Sequence, residues 1–315
     1  MGSLYSYLVE NRHLIDRSVK PNQLQFNWPA VLERWEETIV VNQAFAESLA
    51  SELIANQFSS GTILLVTDEL FLDPGYAFNF NNYPEIWPPF PGRYDIIISA
   101  DRFDSRGGRI DLTGSVGWPP GSPTPGYGTK GIDAENEPGT PMKGGTGWNG
   151  AGGKEGSEGG SGGNIKIYCE EIVNIDIISN GGTGARGGKG QKGGPGGKGS
   201  DGGTGMTKPP GNGGWGGKGG PGGKGGPAGK ILLFYTSAPN GFVVNDHLKS
   251  AGGKGGKGGE KGDKGVGSSG PGMGNPPGVG DAGPVGIPSI PEVFQLDLEA
   301  LKKKVGEELH APIPL

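Results

Sequence analysis

Apolar and polar positions alternate in short segments along this chain, and between those segments the apolar pattern disappears. Three pairs of alternating segments follow one another from Tyr94: RYDIIISADRF with RIDLTG, NIKIYCEEI with VNIDIIS, and KILLFYTS with GFVVND. Such alternation predicts half-buried strands. Each pair leads into a glycine-rich run, and that recurrence marks a repeat architecture. The reading places the two strands of each pair on one another, with a turn at Pro239-Asn240-Gly241 in the third unit. Their buried face would be Ile96, Ile98, Ile110, Leu112, Ile165, Ile167, Ile175, Ile177, Leu232, Phe234 and Val243.

The flanking regions carry other periods. Between Pro29 and Gln57, Leu32, Trp35, Ile39, Phe45 or Ala46, Leu49 and Leu53 recur at three and four residues, which predicts an amphipathic helix with proline in its first turn. GTILLVTDELFLDPG, Gly61 to Gly75, predicts one or two buried strands ending in a turn. After Pro291, the spacing of Phe294, Leu298, Leu301, Val305 and Leu309 predicts a second helix, docked on its own domain or used as a linker or oligomerisation element. These changes of pattern divide the chain into an N-terminal helix-plus-strand region at 1–92, a repeat domain at 93–288 and a C-terminal helix at 289–315.

Within the glycine runs the period is three. Glycine returns at Gly181, Gly184, Gly187, Gly190, Gly193, Gly196, Gly199, Gly202 and Gly205, and again at Gly217, Gly220 and Gly223 of the next run. Three residues per turn is the polyproline II helix, which makes no internal hydrogen bonds and must satisfy its backbone on water or neighbours. The Gly-Gly-X pattern leaves two edges bare and puts Arg186, Lys189, Lys192, Pro195, Lys198, Asp201 and Thr204 on or near the third. This predicts a folded bundle of polyglycine II helices in preference to a collagen-like triple-helical rod. The fold class expected is mainly β with a polyglycine II helix bundle, short strand pairs alternating with Gly-Gly-X runs, plus an N-terminal and a C-terminal α-helix.

Composition sharpens this picture. With 68 glycines and 27 prolines in 315 residues and only 32% hydrophobic residues, the chain would read as collagenous or disordered; the strict period argues against disorder. A net charge of −5 gives no global pull toward nucleic acid. Cys169 is the single cysteine, which excludes an internal disulfide and a cysteine-based metal site. MGSLYSYLVENRHLIDRSVK lacks an apolar core of signal-peptide length, and no run approaches membrane-spanning length. The expectation is a protein that stays in the cytoplasm or leaves by lysis or another route without an N-terminal signal, as part of a virion or extracellular assembly.

Candidate chemistry is sparse. Gly-x-Gly-x-x-Gly, as at Gly145 to Gly150, is unavoidable in a three-residue glycine repeat, and Gly-Lys is never followed by Ser or Thr, so neither nucleotide-binding motif is supported. His13, His247 and His310 share no metal-ligand spacing. Glu170 and Glu171 are adjacent on a strand and point to opposite faces. Asp133, Glu135 and Glu137 form a loop cluster without an EF-hand pattern. No catalytic, cofactor or metal residue is assigned, and the chain is expected not to be an enzyme.

Two features remain for binding. The lysines at 189, 192, 198, 218, 224, 254, 257, 261 and 264 form a solvated outer edge, or a basic stripe that attracts polyanions such as anionic polysaccharide if neighbouring runs align. Tyr76, Phe78, Phe80, Tyr83, Trp87 and Phe90 crowd one Asn- and Pro-rich stretch, and Trp118, Trp148 and Trp215 each follow a glycine in separate runs. Such rings stack on sugars, grip another chain, or pin the bundle.

On these glycine runs and on units such as GGNIKIYCEEIVNIDIISNGGTG, the region from about Tyr94 to Gly286 resembles polyglycine II folds: the glycine-rich domain of Obg-type GTPases, without the GTPase domain, and the tips of phage tail-fibre adhesins. It also resembles glycine-rich repeats of bacterial surface proteins. The resemblance implies a non-enzymatic structural or adhesive module that binds other subunits or a surface polysaccharide, with a homo-oligomer compatible. The alternative is a self-assembling fibre or filament subunit.

Overall fold

The structure is a computed structural model and describes residues 2–12, 30–55, 61–79, 94–118, 142–200, 208–239, 243–267 and 278–310. Its regular elements are helix α1 (Leu4–Glu10), strand β1 (Ala30–Val41), helix α2 (Gln43–Ala55), and strands β2 (Gly61–Leu72), β3 (Ala77–Asn79), β4 (Tyr94–Asp104) and β5 (Arg109–Asp111). Then come β6 (Asn164–Asn174), β7 (Ile177–Ile178), β8 (Ile231–Ser237), a 3₁₀ turn (Val244–His247), β9 (Leu248–Lys249), β10 (Glu292–Gln295) and helix α3 (Leu298–His310).

The strands form two parallel sheets, one six-stranded in the order β1-β2-β4-β6-β8-β10 and one four-stranded in the order β3-β5-β7-β9. The first strand of each repeat unit enters the large sheet and the second enters the small one. In-register columns show why: Leu32, Ile63, Ile96, Ile165 and Ile231 lie side by side across five strands, and all are buried. β-branched and aliphatic side chains stacked this way line the space between the sheets.

This corrects the expected fold class. The fold is of α/β type, two parallel sheets with three helices among the described residues, and no polyglycine II bundle defines it; the regular structure and the apolar core lie in the sheets. The paired segments of each unit do not lie on one another as expected, because alternation fixes the faces of a strand but not its partner. β4 pairs with β2 and β6, while β5 pairs with β3 and β7. In the third unit the described residues of GFVVND, 243–246, form no strand: Val243 is exposed, and a 3₁₀ turn precedes β9.

The expected helix at 29–57 is also corrected. Its first half is β1, because Val31, Thr38, Ile39, Val40 and Val41 are β-branched and β2 offers a full-length parallel partner. Only Gln43–Ala55 is helical, with Asn42 Oδ1 accepting from the Phe45 amide as the helix begins. Likewise Phe294, read as part of the C-terminal helix, lies in β10, and the helix begins at Leu298.

The core has two parts. Between the sheets, and closed by α2, lies the larger one, with Ile39, Leu49, Ile63, Leu70, Ile98, Phe103, Ile167, Ile172 and Leu233 among its members. On the opposite face of the large sheet, α1 and α3 lie together over Leu64, Val66, Tyr168 and Phe234, to which they add Leu4, Leu8, Leu301, Val305 and Leu309. Phe234 therefore belongs under the helices, and Leu232 packs there partly buried. Tyr168, Phe234 and Phe294 share one in-register row and stack at 5.1 Å and 4.9 Å. Strands from 1–92, 93–288 and 289–315 all enter the large sheet. Among the described residues no helix is long and apolar enough to cross a membrane.

Candidate functional site

The glycine runs leave the strands as extended segments and stay in register with one another. Six are described: 113–118, 142–163, 179–200, 208–229, 250–267 and 278–289, called runs one to six below. Run one donates to run three (Gly114 N–H to Asn180 O, 2.9 Å), and run three to run five (Gly184 N–H to Lys254 O, 2.9 Å). Runs two, four and six are linked in the same sense, as by Gly156 N–H to Pro221 O at 3.0 Å and Gly222 N–H to Asp281 O at 2.8 Å. The two sets are joined by further bonds such as Gly188 N–H to Lys154 O and Gly220 N–H to Gly188 O, at 2.7 and 2.8 Å. The result is two layers of three runs.

Close approach is what demands glycine here. A Cβ at Gly184, Gly187, Gly190, Gly193, Gly196 or Gly199 would lie 1.9–2.1 Å from a neighbouring carbonyl oxygen, and at Gly217, Gly220 and Gly223 within 1.8–2.0 Å. Gly202 falls outside the described residues.

Every third residue of a run faces outward. On one face these are Thr183, Arg186, Lys189, Lys192, Pro195 and Lys198 of run three, beside Ala251, Lys254, Lys257, Glu260, Asp263 and Val266 of run five. Arg186 pairs with Glu260 at 2.8 Å and Lys189 with Asp263 at 3.4 Å. The opposite face carries Glu155 and Glu158 of run two, Trp215, Lys218 and Lys224 of run four, and Asp281 of run six, with Lys218 and Asp281 at 3.1 Å. The lysines of the sequence thus divide between two faces and, for Lys261 and Lys264, one edge, and acids interrupt both faces.

The aromatic candidates separate as well. Phe78 is buried in β3, which closes it to a ligand, and Tyr76 packs partly buried on the core. Phe80, Tyr83, Trp87 and Phe90 lie outside the described residues, as do Asp133, Glu135, Glu137 and His13. Trp118 and Trp148 are 72% and 68% exposed. They do not meet: the Trp118 carbonyl accepts from Ser157, nine residues along the same run from Trp148. Trp215 is half-buried, with its amide donating to Asn149 Oδ1 and the Lys264 ammonium 5.0 Å from its ring centre.

One end of the stack differs from its interior. Val279, Ala282 and Val285 of run six occupy the places that Gly219, Gly222 and Gly225 hold in run four, and Lys261 and Lys264 of run five correspond to Gly190 and Gly193 of run three. At Gly219, Gly222 and Gly225 a Cβ would come within 1.9 Å of the next run's carbonyl. Side chains at this edge therefore close the stack to a further run.

A polar cluster that sequence reading missed sits on the helix-covered face of the large sheet. Glu37, Asp68, Asp101 and Glu170 hold equivalent places in β1, β2, β4 and β6, each one residue beyond the pairs Glu36↔Thr67, Thr67↔Ala100 and Ala100↔Cys169. The amides of Leu4 and Tyr5, in the first turn of α1, donate to Glu170 Oε1 and, at 2.6 Å, to Asp101 Oδ1. Burial pushes the Asp101 carboxyl up to about 7, helped by the charge of Glu170 and opposed by hydrogen bonds from Ser3 and Tyr5. The signal was present as an aligned acid in EETIVV, DELFL, DRFD and EEIV, but the acids stand far apart in the chain. Among the described residues no group of His, Cys, Asp and Glu is placed to hold a metal ion. Cys169 is fully buried with its thiol held well above the usual range by burial, and it donates to Glu171 O at 3.0 Å.

No family model matches the chain, and no curated protein matches it. Among solved structures the chain is similar to the nine polyproline type II helical bundle springtail antifreeze protein from Granisotoma rainieri, at 21% identity over 59% of this chain and 96% of that one, with a TM-score of 0.10. So low a score carries no argument. The resemblances to phage tail-fibre tip adhesins, to the glycine-rich domain of Obg-type GTPases and to bacterial surface repeats are accordingly corrected: no family match supports them, and the parallel sheets overturn the bundle on which they rested.

Proposed function

We propose that this protein is a non-enzymatic structural and adhesive module in which laterally bonded glycine runs, anchored in the sheets, hold side chains in fixed positions for a surface or a partner. The observation that supports this most is the bonding of runs three and four. Each donates amides in two directions at nearly every third residue, which leaves these segments little freedom despite their glycine content. Exposed rings at Trp118 and Trp148 suit carbohydrate stacking or contact with another subunit.

Screening the purified chain on a glycan array tests the reading. Specific retention that falls at least tenfold in a Trp118→Ala, Trp148→Ala double variant supports adhesion through these rings. Retention unchanged in the variant removes them from the site, and absence of any ligand or partner would sink the adhesive role. The alternative, a filament subunit growing by addition of run to run, is opposed at one edge by Val279, Ala282 and Val285.

A further inference from the structure

We infer that the outer face of runs three and five is a docking surface for a linear carboxylated polysaccharide. The inference rests on the adhesive reading above and names its ligand class. Arg186, Lys189, Lys192, Lys198, Lys254 and Lys257 share this face with only Glu260 and Asp263 among the described outward positions. The opposite face sets Lys143, Lys218 and Lys224 against Glu155, Glu158 and Asp281. The molecule is acidic overall, so the asymmetry is local.

The cations are also ordered by sequence. Gly184 N–H bonds Lys254 O and Gly187 N–H bonds Lys257 O, which sets Lys254 and Lys257 next to Thr183 and Arg186 at the end nearer the sheets. Glu260 and Asp263 follow farther out, where they engage Arg186 and Lys189. Lys254 and Lys257 form no ion pair among the described residues, and both are exposed. Fixed cations that no acid answers attract an anionic chain without first breaking an internal bridge.

Spacing and chemistry choose the polymer. Successive outward residues on one run are three apart, about 10 Å for a nearly extended chain. Single-stranded nucleic acid carries a phosphate on every nucleotide, closer together than these cations. Binding such strands also uses aromatic platforms for the bases, and no described outward position of this face is aromatic. A carboxylated polysaccharide offers carboxylates to the lysines, and hydroxyl groups that suit the Thr183 side chain and the glycine backbone between the lysines.

The test uses the full chain, immobilised, with sodium polygalacturonate, neutral dextran and an oligo-dT strand as probes, between about 50 and about 200 mM salt. Polygalacturonate is expected to bind and weaken with salt, dextran to fail, and oligo-dT to bind at least tenfold more weakly. A Lys254→Glu, Lys257→Glu variant should lose at least tenfold in affinity, while Lys218→Glu, Lys224→Glu on the other face should match the parent; circular dichroism checks that both variants fold. The inference is overturned if polygalacturonate does not bind, if oligo-dT binds as tightly, or if the two variants lose affinity equally. Failure here with tryptophan-dependent glycan binding intact removes this face alone, whereas loss of both binding modes removes the adhesive reading itself.

Discussion

At the scale of single residues, two glycines in neighbouring runs have opposite tolerances. A Cβ on Gly187 would sit 2.1 Å from Gly220 O, whereas one on Gly152 finds nothing nearer than Lys218 O at 3.7 Å. Gly187→Ala is expected to cost about 3 kcal/mol or more, because the lateral bonds on both sides must shift. Gly152→Ala should be neutral or stabilising by up to about 1 kcal/mol, through the unfolded state; urea titration of both separates them. The threefold glycine spacing made the first kind legible in the sequence, whereas Gly152 falls off that spacing, in the outward register of Glu155 and Glu158. Asp101 makes a second residue-scale case. Its folded value, about 7, stands above the ordinary 3.8, so its contribution to stability is fully present below about 4 and is lost as pH rises through 7. Asp101→Asn should flatten the fall in stability between about pH 4 and about pH 7 seen in the parent. A steeper fall would contradict this account. Tyr168 carries a buried hydroxyl without a partner, and Tyr168→Phe should leave the denaturation midpoint unchanged or raise it.

At the scale of elements, sequence period and structure part company where a pattern serves two shapes. Leu32, Trp35 and Ile39 suit a helix by spacing, yet β2 is a ready parallel partner and the segment forms a strand. The C-terminal stripe was clearer: Leu301, Val305 and Leu309 are buried against the sheet as their spacing implies, and Leu301→Ala should cost about 2–5 kcal/mol by calorimetry. Strand partners were illegible because each lies a full repeat away, as Ile96 and Ile165 do. The acids that answer Arg186 and Lys189 were hidden for the same reason, each 74 residues on. The closed edge is an element-scale device as well. Replacing Val279, Ala282, Val285, Lys261 and Lys264 together by glycine should open it, and light scattering should then show mass rising with concentration; an unchanged mass would mean that these side chains do not limit association.

At the scale of the molecule, all strands of the large sheet run in one direction; runs two, four and six enter it along that direction, and runs one, three and five run antiparallel to them. The parent chain is expected at its own mass of 32.3 kDa in light scattering. Its two end helices lie together on the large sheet, where Lys302 Nζ donates to Gly2 O at 2.6 Å. Under mechanical tension applied through the two ends, that shared face is the first to bear force. α1, only seven residues long and held by few side chains, peels away before any strand is loaded. The glycine layers lie outside this line of pull, so a modest force exposes Asp101 and Glu170 while leaving Lys254 and Lys257 where they were.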